Sequence, residues 1–360
     1  MPTIVAKTMG WGSLPLLLTL LSTTPAVQCN QPRAQDAPLP DLDEVRPATP
    51  ADAGTDGRSR PFFGFNAKGN LNPEEQVRYA NAFLDQITSP DTKKDLVIRV
   101  TGGTVSQTTY SKDWSTATVA AWTALQKRQG VRFIYVVNGN EPPAAQAANI
   151  QRWMDAGARF DLLEMMNEYY LPKFAKGDRS FAEVSGQVSP EKYVNTILPA
   201  YWKELDRFGL PYYLIFAPAK GGGATNRLGQ WNQVVADAIR NKYPGRQLNA
   251  TIHLYADGND LSTFDYGQID RLRQSLPPGR HIAVTEAGIL DPNLTFQQNG
   301  QAAVDHYRNI LKHLQAGDYL LDQVLYNTGK KVSNAVLSPT TGGETMKGKV
   351  MLQFIQGGLR

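Results

Sequence analysis

Eight short apolar runs, each followed by a longer amphipathic stretch, dominate the chain from residue 61 onward. The runs are Phe62–Phe65, Leu96–Val100, Phe133–Val137, Leu162–Met166, Tyr212–Phe216, Thr251–Tyr255, His281–Thr285 and Val324–Tyr326. Their hydrophobicity is continuous rather than alternating, as in strands buried on both faces of a parallel sheet. The intervening stretches carry helix punctuation. Asn72-Pro73-Glu74-Glu75 is a capping box with proline at the first helical position, and Ser189-Pro190-Glu191 repeats the cap-then-proline signal. Gly130, Gly157, Gly209 and Gly317 stand just past expected helix ends, where a left-handed residue closes the last turn. Helices are expected near 73–87, 116–129, 142–156, 190–208, 228–242, 265–275, 299–315 and 345–355.

Eight such units within residues 61–360 predict an α/β fold, a (β/α)8 TIM barrel forming one domain. The alternative is an open doubly wound sheet. That fold usually carries a Gly-rich phosphate loop after its first strand, and Phe65-Asn66-Ala67-Lys68-Gly69 is not one.

Composition narrows the chemistry. A hydrophobic fraction of 41% and a charged fraction of 19% suit a soluble globular chain with a full core. A formal charge of +4 gives no nucleic-acid footprint. Cys29 is the only cysteine, so neither an intramolecular disulfide nor a cysteine metal site can form. His253, His281, His306 and His313 show no ligand spacing, so no metal is expected, and nothing implies an organic cofactor.

The first residues read as an export signal. Lys7 precedes the apolar run Leu14–Leu21, which is too brief to span a bilayer, and small residues follow up to Ala26. Ala26-Val27-Gln28-Cys29 resembles a relaxed lipobox, which makes Cys29 a candidate for lipidation; ordinary cleavage nearby is the alternative. Residues 1–28 are expected to be the signal peptide. Residues 29–60, rich in Pro, Asp and Ala, are expected to be a disordered linker. The protein is therefore expected at the cell surface or in the periplasm, with a lipid anchor as one option, and as a monomer.

In a (β/α)8 barrel the chemistry lies where strands end and the following loops begin. Strand four ends Glu164-Met165-Met166-Asn167-Glu168-Tyr169-Tyr170, and strand seven ends Ala283-Val284-Thr285-Glu286-Ala287-Gly288. Each delivers a carboxylate to the barrel mouth, where it is costly to desolvate unless function or pairing retains it. Read without function, Glu168 and Glu286 would be a structural ion pair with Arg99. Read with function, two such carboxylates are what glycoside cleavage requires, one as acid and one as nucleophile or base.

The pattern resembles the clan A glycoside hydrolases, the superfamily of retaining barrel enzymes with Asn-Glu after strand four and Glu after strand seven. The resemblance covers roughly residues 61–340 and rests on short motifs. It implies that Glu168 is the acid/base and Glu286 the nucleophile, with Asn167 binding the sugar 2-hydroxyl. Thr251-Ile252-His253-Leu254-Tyr255 resembles the clan's His-x-Tyr, and period-two spacing puts His253 and Tyr255 on one face. It implies that Tyr255 donates to the nucleophile and that His253 lies near the acid/base. Arg99 looks like the arginine beside the nucleophile.

Two places depart from the pattern. Many clan members present Trp after strand eight, where Tyr326 is the nearest aromatic in this chain. Strand three ends Val137-Asn138-Gly139-Asn140, without the familiar His-Asn. The turn Thr101-Gly102-Gly103-Thr104 resembles that of the hexuronidase-type branches. Tyr169, Tyr170, Phe174, Trp114 and Tyr326 fall in expected top loops, where aromatic faces suit sugar rings. Lys68, Lys112, Lys173, Lys176, Arg179, Lys220, Arg227, Lys330 and Lys331 share those loops and would favour an anionic glycan, partly offset by Asp113, Asp178, Asp257 and Asp260. The expected partner is thus an oligo- or polysaccharide. Three outcomes stay open: a retaining hydrolase, a transglycosylase remodelling a surface polymer, and a carbohydrate-binding barrel without turnover.

Overall fold

A computed structural model of the chain describes residues 60–67, 73–100, 102–103, 114–171, 188–219, 225–325, 334–338 and 341–359. The expected signal peptide, nearly all of the linker and Cys29 lie outside them. Eight strands run in order: β1 (Phe62–Asn66), β2 (Leu96–Val100), β3 (Arg132–Val137), β4 (Phe160–Met165), β5 (Tyr212–Phe216), β6 (Leu248–Ala256), β7 (Ile282–Ile289) and β8 (Tyr319–Asp322). Each pairs in parallel with its sequence neighbour, and β1 also pairs with β8, closing the barrel. β1, β2, β5, β7 and β8 are buried along their whole length, which is why their sequences lack alternation.

Helices cover the outside, including Thr116–Gln129, Pro143–Asp155, Gly267–Ser275, Phe296–Leu311 and Met346–Gln356. Their ends follow the expected chemistry. The Ser189 hydroxyl accepts from Lys192 N at 3.1 Å. Gly130, Gly157, Gly209 and Gly317 all take positive φ. The expected helix over 190–208 is interrupted. Pro190–Lys192 gives way to a π turn, Tyr193–Ile197, before Leu198–Leu205. Pro199 has no N–H to offer the carbonyl four residues back, so the ladder widens just ahead of it.

The eighth strand corrects the sequence reading. It is Tyr319–Asp322, not Val324–Tyr326. Asp318 and Asp322 bracket the run and make it look too polar, yet both are buried. Asp318 Oδ1 accepts from Ile282 N at 2.8 Å. Asp322 Oδ2 accepts from the Tyr307 hydroxyl at 2.6 Å and pairs with Lys347 Nζ at 2.8 Å.

Period two inside the barrel positions the site. Phe62, Val97, Ile134, Leu162, Tyr213, Ala283, Tyr319 and Leu321 form an apolar cluster separate from the larger core. Phe62 stacks on Tyr319 with centroids 4.8 Å apart. Two residues further along their strands stand Asn66, by way of Gly64, and Arg99, Glu164 and Thr285. β1 can approach β2 this closely only because Gly64 has no side chain: a Cβ there would lie 1.9 Å from Val97 O. A polar layer thus sits directly on an apolar plug, at the C-terminal mouth where barrel chemistry belongs.

Candidate active site

Arg99 is the hub of the polar layer and is fully buried. It donates to Glu164 twice, from Nε to Oε2 at 2.6 Å and from Nη2 to Oε1 at 2.7 Å. Nη1 donates to Glu286 Oε1 at 2.7 Å and to Asn66 Oδ1 at 2.6 Å. Nη2 also reaches Asn167 Oδ1 at 2.9 Å. Asn66 is oriented in turn by its amide, which donates to the carbonyls of Thr285 at 2.7 Å and Asp322 at 3.0 Å.

Glu286 faces inward because β7 is bulged. Ile252 pairs with Val284 but His253 pairs with Glu286, so Thr285 is an extra residue in the strand. Both Thr285 and Glu286 then point into the barrel. The Thr285 hydroxyl donates to Glu164 Oε1 at 3.1 Å and lies 2.6 Å from that of Thr251. The Tyr255 hydroxyl donates to Glu286 Oε2.

Glu168 is placed by a strained turn. Met166 and Glu168 take φ of 74° and 44°, left-handed backbone that costs on the order of 1–3 kcal/mol per residue outside glycine. Surrounding contacts enforce it. Met166 N bonds Glu164 O at 3.0 Å, the Tyr193 hydroxyl donates to Met165 O at 3.0 Å, and the Tyr169 hydroxyl donates to Gly139 O at 2.8 Å. Gly139 is needed here, because a Cβ would fall 2.6 Å from Met166 Cγ and 2.9 Å from Tyr169 Cε2. At strand three's end the turn therefore packs against bare backbone.

His253 stands among the carboxylates. Its Nδ1 lies 3.4 Å from Glu168 Oε1, and its Nε2 lies 3.6 Å from Glu164 Oε1 and 4.0 Å from Glu286 Oε1. Burial works to lower the His253 pKa, but the charge of Glu286 and contacts with Glu164 and Glu168 outweigh it, raising the pKa to about 9. Burial likewise opposes ionisation of Glu164, yet Arg99 and His253 hold its carboxyl below the usual range. The buried cations Arg99 and His253 thus balance two buried carboxylates, as charges away from water require. Glu168 is a third carboxylate, and its side chain keeps 18% of its exposure against 4% for Glu286. One carboxylate lies deep and paired; the other stands at the opening.

The structure therefore brings together Glu168, Glu286, Asn167, Arg99, His253 and Tyr255. It adds Glu164, which the sequence reading passed over although it stands two residues beyond inward-facing Leu162. Tyr169, expected to face sugar, is instead fully buried, with its hydroxyl on backbone and its ring near Tyr193. Trp114 is also buried, stacked on Trp122. Tyr326, Phe174, Lys68, Lys112, Asp113, Lys173, Lys176, Asp178, Arg179, Lys220, Lys330 and Lys331 lie outside the described residues, as does the side chain of Arg227.

No family's sequence profile matches the chain, and no curated protein matches it. Solved structures do. One is a thermostable, halotolerant family 5 cellulase from an Icelandic hot spring isolate, at 15% identity and TM-score 0.54, covering 84% of this chain and 90% of that one. A family 128 endo-β-1,3-glucanase from Sorangium cellulosum matches at 14% identity and TM-score 0.52, covering 81% and 97%. A family 10 endo-β-1,4-xylanase from Gloeophyllum trabeum matches at 11% identity and TM-score 0.52, covering 82% and 96%. What these structures share with the chain is the closed (β/α)8 barrel. At such identities the likeness is one of fold, so the chemistry of this barrel has to be read from its own residues.

Proposed function

We propose that the protein is a retaining glycoside hydrolase, with Glu286 as nucleophile and Glu168 as acid/base. The observation that carries this reading is the shared setting of the two glutamates: both flank one imidazole at the barrel mouth, but only Glu286 is bound by Arg99 and Tyr255. In the first step a Glu286 carboxylate oxygen bonds to the anomeric carbon. The bond to the leaving oxygen breaks, and that oxygen takes the proton of Glu168. In the second step water attacks the anomeric carbon, gives its proton to Glu168, and releases Glu286. Arg99 and the Tyr255 phenol favour the ionised nucleophile. Burial, then the charges of Glu286 and Glu168, hold the Tyr255 pKa well above the usual phenol range, so it remains a donor. Asn167, held by Arg99 through Oδ1, is turned so that its amide nitrogen is the group for the sugar 2-hydroxyl.

The test is a screen of aryl glycosides and polysaccharides with product sizing and with anomeric configuration followed by NMR. Release of the retained anomer to water supports the reading, whereas products longer than the substrate indicate transglycosylation. Absence of turnover across the panel refutes it. We also propose export and lipidation at Cys29, on the strength of Lys7, the run Leu14–Leu21 and the lipobox-like Ala26–Cys29.

A further inference from the structure

Tyr170 is two residues past Glu168 and only 2% exposed. It is not a sugar platform. Its ring packs edge-on against Trp231, with centroids 6.3 Å apart at 69°. Trp231 is itself fixed, stacked on Tyr193 at 4.9 Å and donating from Nε1 to Ile215 O at 2.9 Å. The Tyr170 hydroxyl donates to Glu168 Oε1 at 3.3 Å. His253 Nδ1 approaches the same oxygen at 3.4 Å. Among the described residues, no hydrogen bond or ion pair is made to Glu168 Oε2.

We propose that Tyr170 is a positioning residue for the acid/base: its hydroxyl holds Glu168 by Oε1, so that Oε2 carries the proton given to the leaving oxygen. This rests on reading Glu168 as the acid/base. A hydroxyl donating to one carboxyl oxygen favours negative or carbonyl character there, which leaves the proton on the other oxygen. When the leaving oxygen takes that proton, the charge left on Glu168 is met at Oε1 by a donor already in place. Burial, then the charge of Glu168, keeps the Tyr170 phenol protonated well past neutral pH. Each glutamate thereby has its own tyrosine, Tyr255 on Glu286 and Tyr170 on Glu168.

The test compares wild type with Tyr170→Phe, which keeps the ring on Trp231 and removes the donor. The substrates are the 2,4-dinitrophenyl and phenyl glycosides of whichever sugar the screen identifies. Losing one hydrogen bond should cost roughly tenfold in kcat/KM on the phenyl glycoside. It should leave the dinitrophenyl glycoside, which departs without protonation, within about twofold of wild type. The alkaline limb of kcat/KM on the phenyl glycoside should move up by about half a unit to one unit, because a donor to the ionised form has gone. Equal losses on both substrates with an unmoved limb would reduce Tyr170 to a packing residue and overturn the proposal. Should Tyr170→Phe not fold, 3-fluorotyrosine at position 170 keeps the shape and strengthens the donor, and must move the limb down. Glu168→Ala run alongside separates the two ideas. If it loses no more on the phenyl than on the dinitrophenyl glycoside, the acid/base reading fails and this proposal falls with it. If it shows that difference and Tyr170→Phe does not, only the role of Tyr170 is wrong.

Discussion

Arg99 grips Glu164 as a fork, Nε to Oε2 at 2.6 Å and Nη2 to Oε1 at 2.7 Å, with both side chains wholly out of water. Only the remaining nitrogen, Nη1, serves Glu286. The arginine is therefore fixed by Glu164 and offers a set position to Glu286, the proposed nucleophile. Such an arrangement stabilises only while complete, since removing one partner strands the others.

Arg99→Met should accordingly leave Glu164 and Glu286 buried without their main cation and destabilise the fold by about 3–5 kcal/mol. Arg99→Lys should recover only part of that, because an ammonium cannot reproduce the planar fork. Urea unfolding of the three proteins checks this. Equal midpoints for wild type and Arg99→Met would show that the cluster contributes nothing net.

Much of this was legible in the sequence, and the remainder has physical reasons. The barrel followed from continuous apolar runs and helix caps. That Arg99, Asn167, Glu168, His253, Tyr255 and Glu286 meet in one place was expected from the strand ends together with the clan A resemblance. Glu164 was hidden because a strand buried on both faces gives no alternation to say which residues point inward. The bulge at Thr285 was hidden as well, since an extra residue in a parallel strand leaves no mark in composition. Tyr169 and Tyr170 were indistinguishable until the left-handed residues Met166 and Glu168 turned one hydroxyl to Gly139 and the other to Glu168. β8 was displaced because burial of Asp318 and Asp322 depends on partners far along the chain.

The proposed export can be tested apart from the proposed catalysis. The mature protein should lack its first residues up to about the lipobox-like cysteine. If Cys29 carries lipid, the protein partitions with membranes and Cys29→Ala moves it to the soluble fraction. Mass spectrometry of the mature N-terminus together with fractionation checks both points. An identical soluble distribution of the two forms removes the anchor.

His253 sets a pH dependence of stability. Its folded pKa of about 9 exceeds the usual unfolded value near 6.5, so the folded state binds the proton more tightly. The stabilisation is complete below about pH 6.5 and is lost as pH rises through about 9. The stability gap between wild type and His253→Gln should therefore narrow across that window. A gap that widens with rising pH would mean the imidazole is neutral in the fold.

The roles of the two glutamates make the sharpest prediction, because their surroundings differ in kind. Glu286 accepts from Arg99 and Tyr255 and is nearly sealed, so it is equipped to be an anion that attacks. Glu286→Ala should abolish turnover on every substrate, since no glycosyl-enzyme can form. Azide should restore part of the activity by attacking from the vacated side, giving a glycosyl azide of inverted configuration. Glu168 stands at the opening with one oxygen uncommitted among the described residues. Glu168→Ala should lose about 10²–10⁴-fold on glycosides with poor leaving groups, the usual worth of a positioned proton donor. It should still show a first-turnover burst on dinitrophenyl glycosides, because the covalent step needs little protonation while its hydrolysis has lost its base. Azide should then speed the second step and give a glycosyl azide of retained configuration. The configuration of the two azides, read by NMR, assigns each glutamate on its own: inverted product from Glu168→Ala, or retained product from Glu286→Ala, would exchange the roles of acid/base and nucleophile between them.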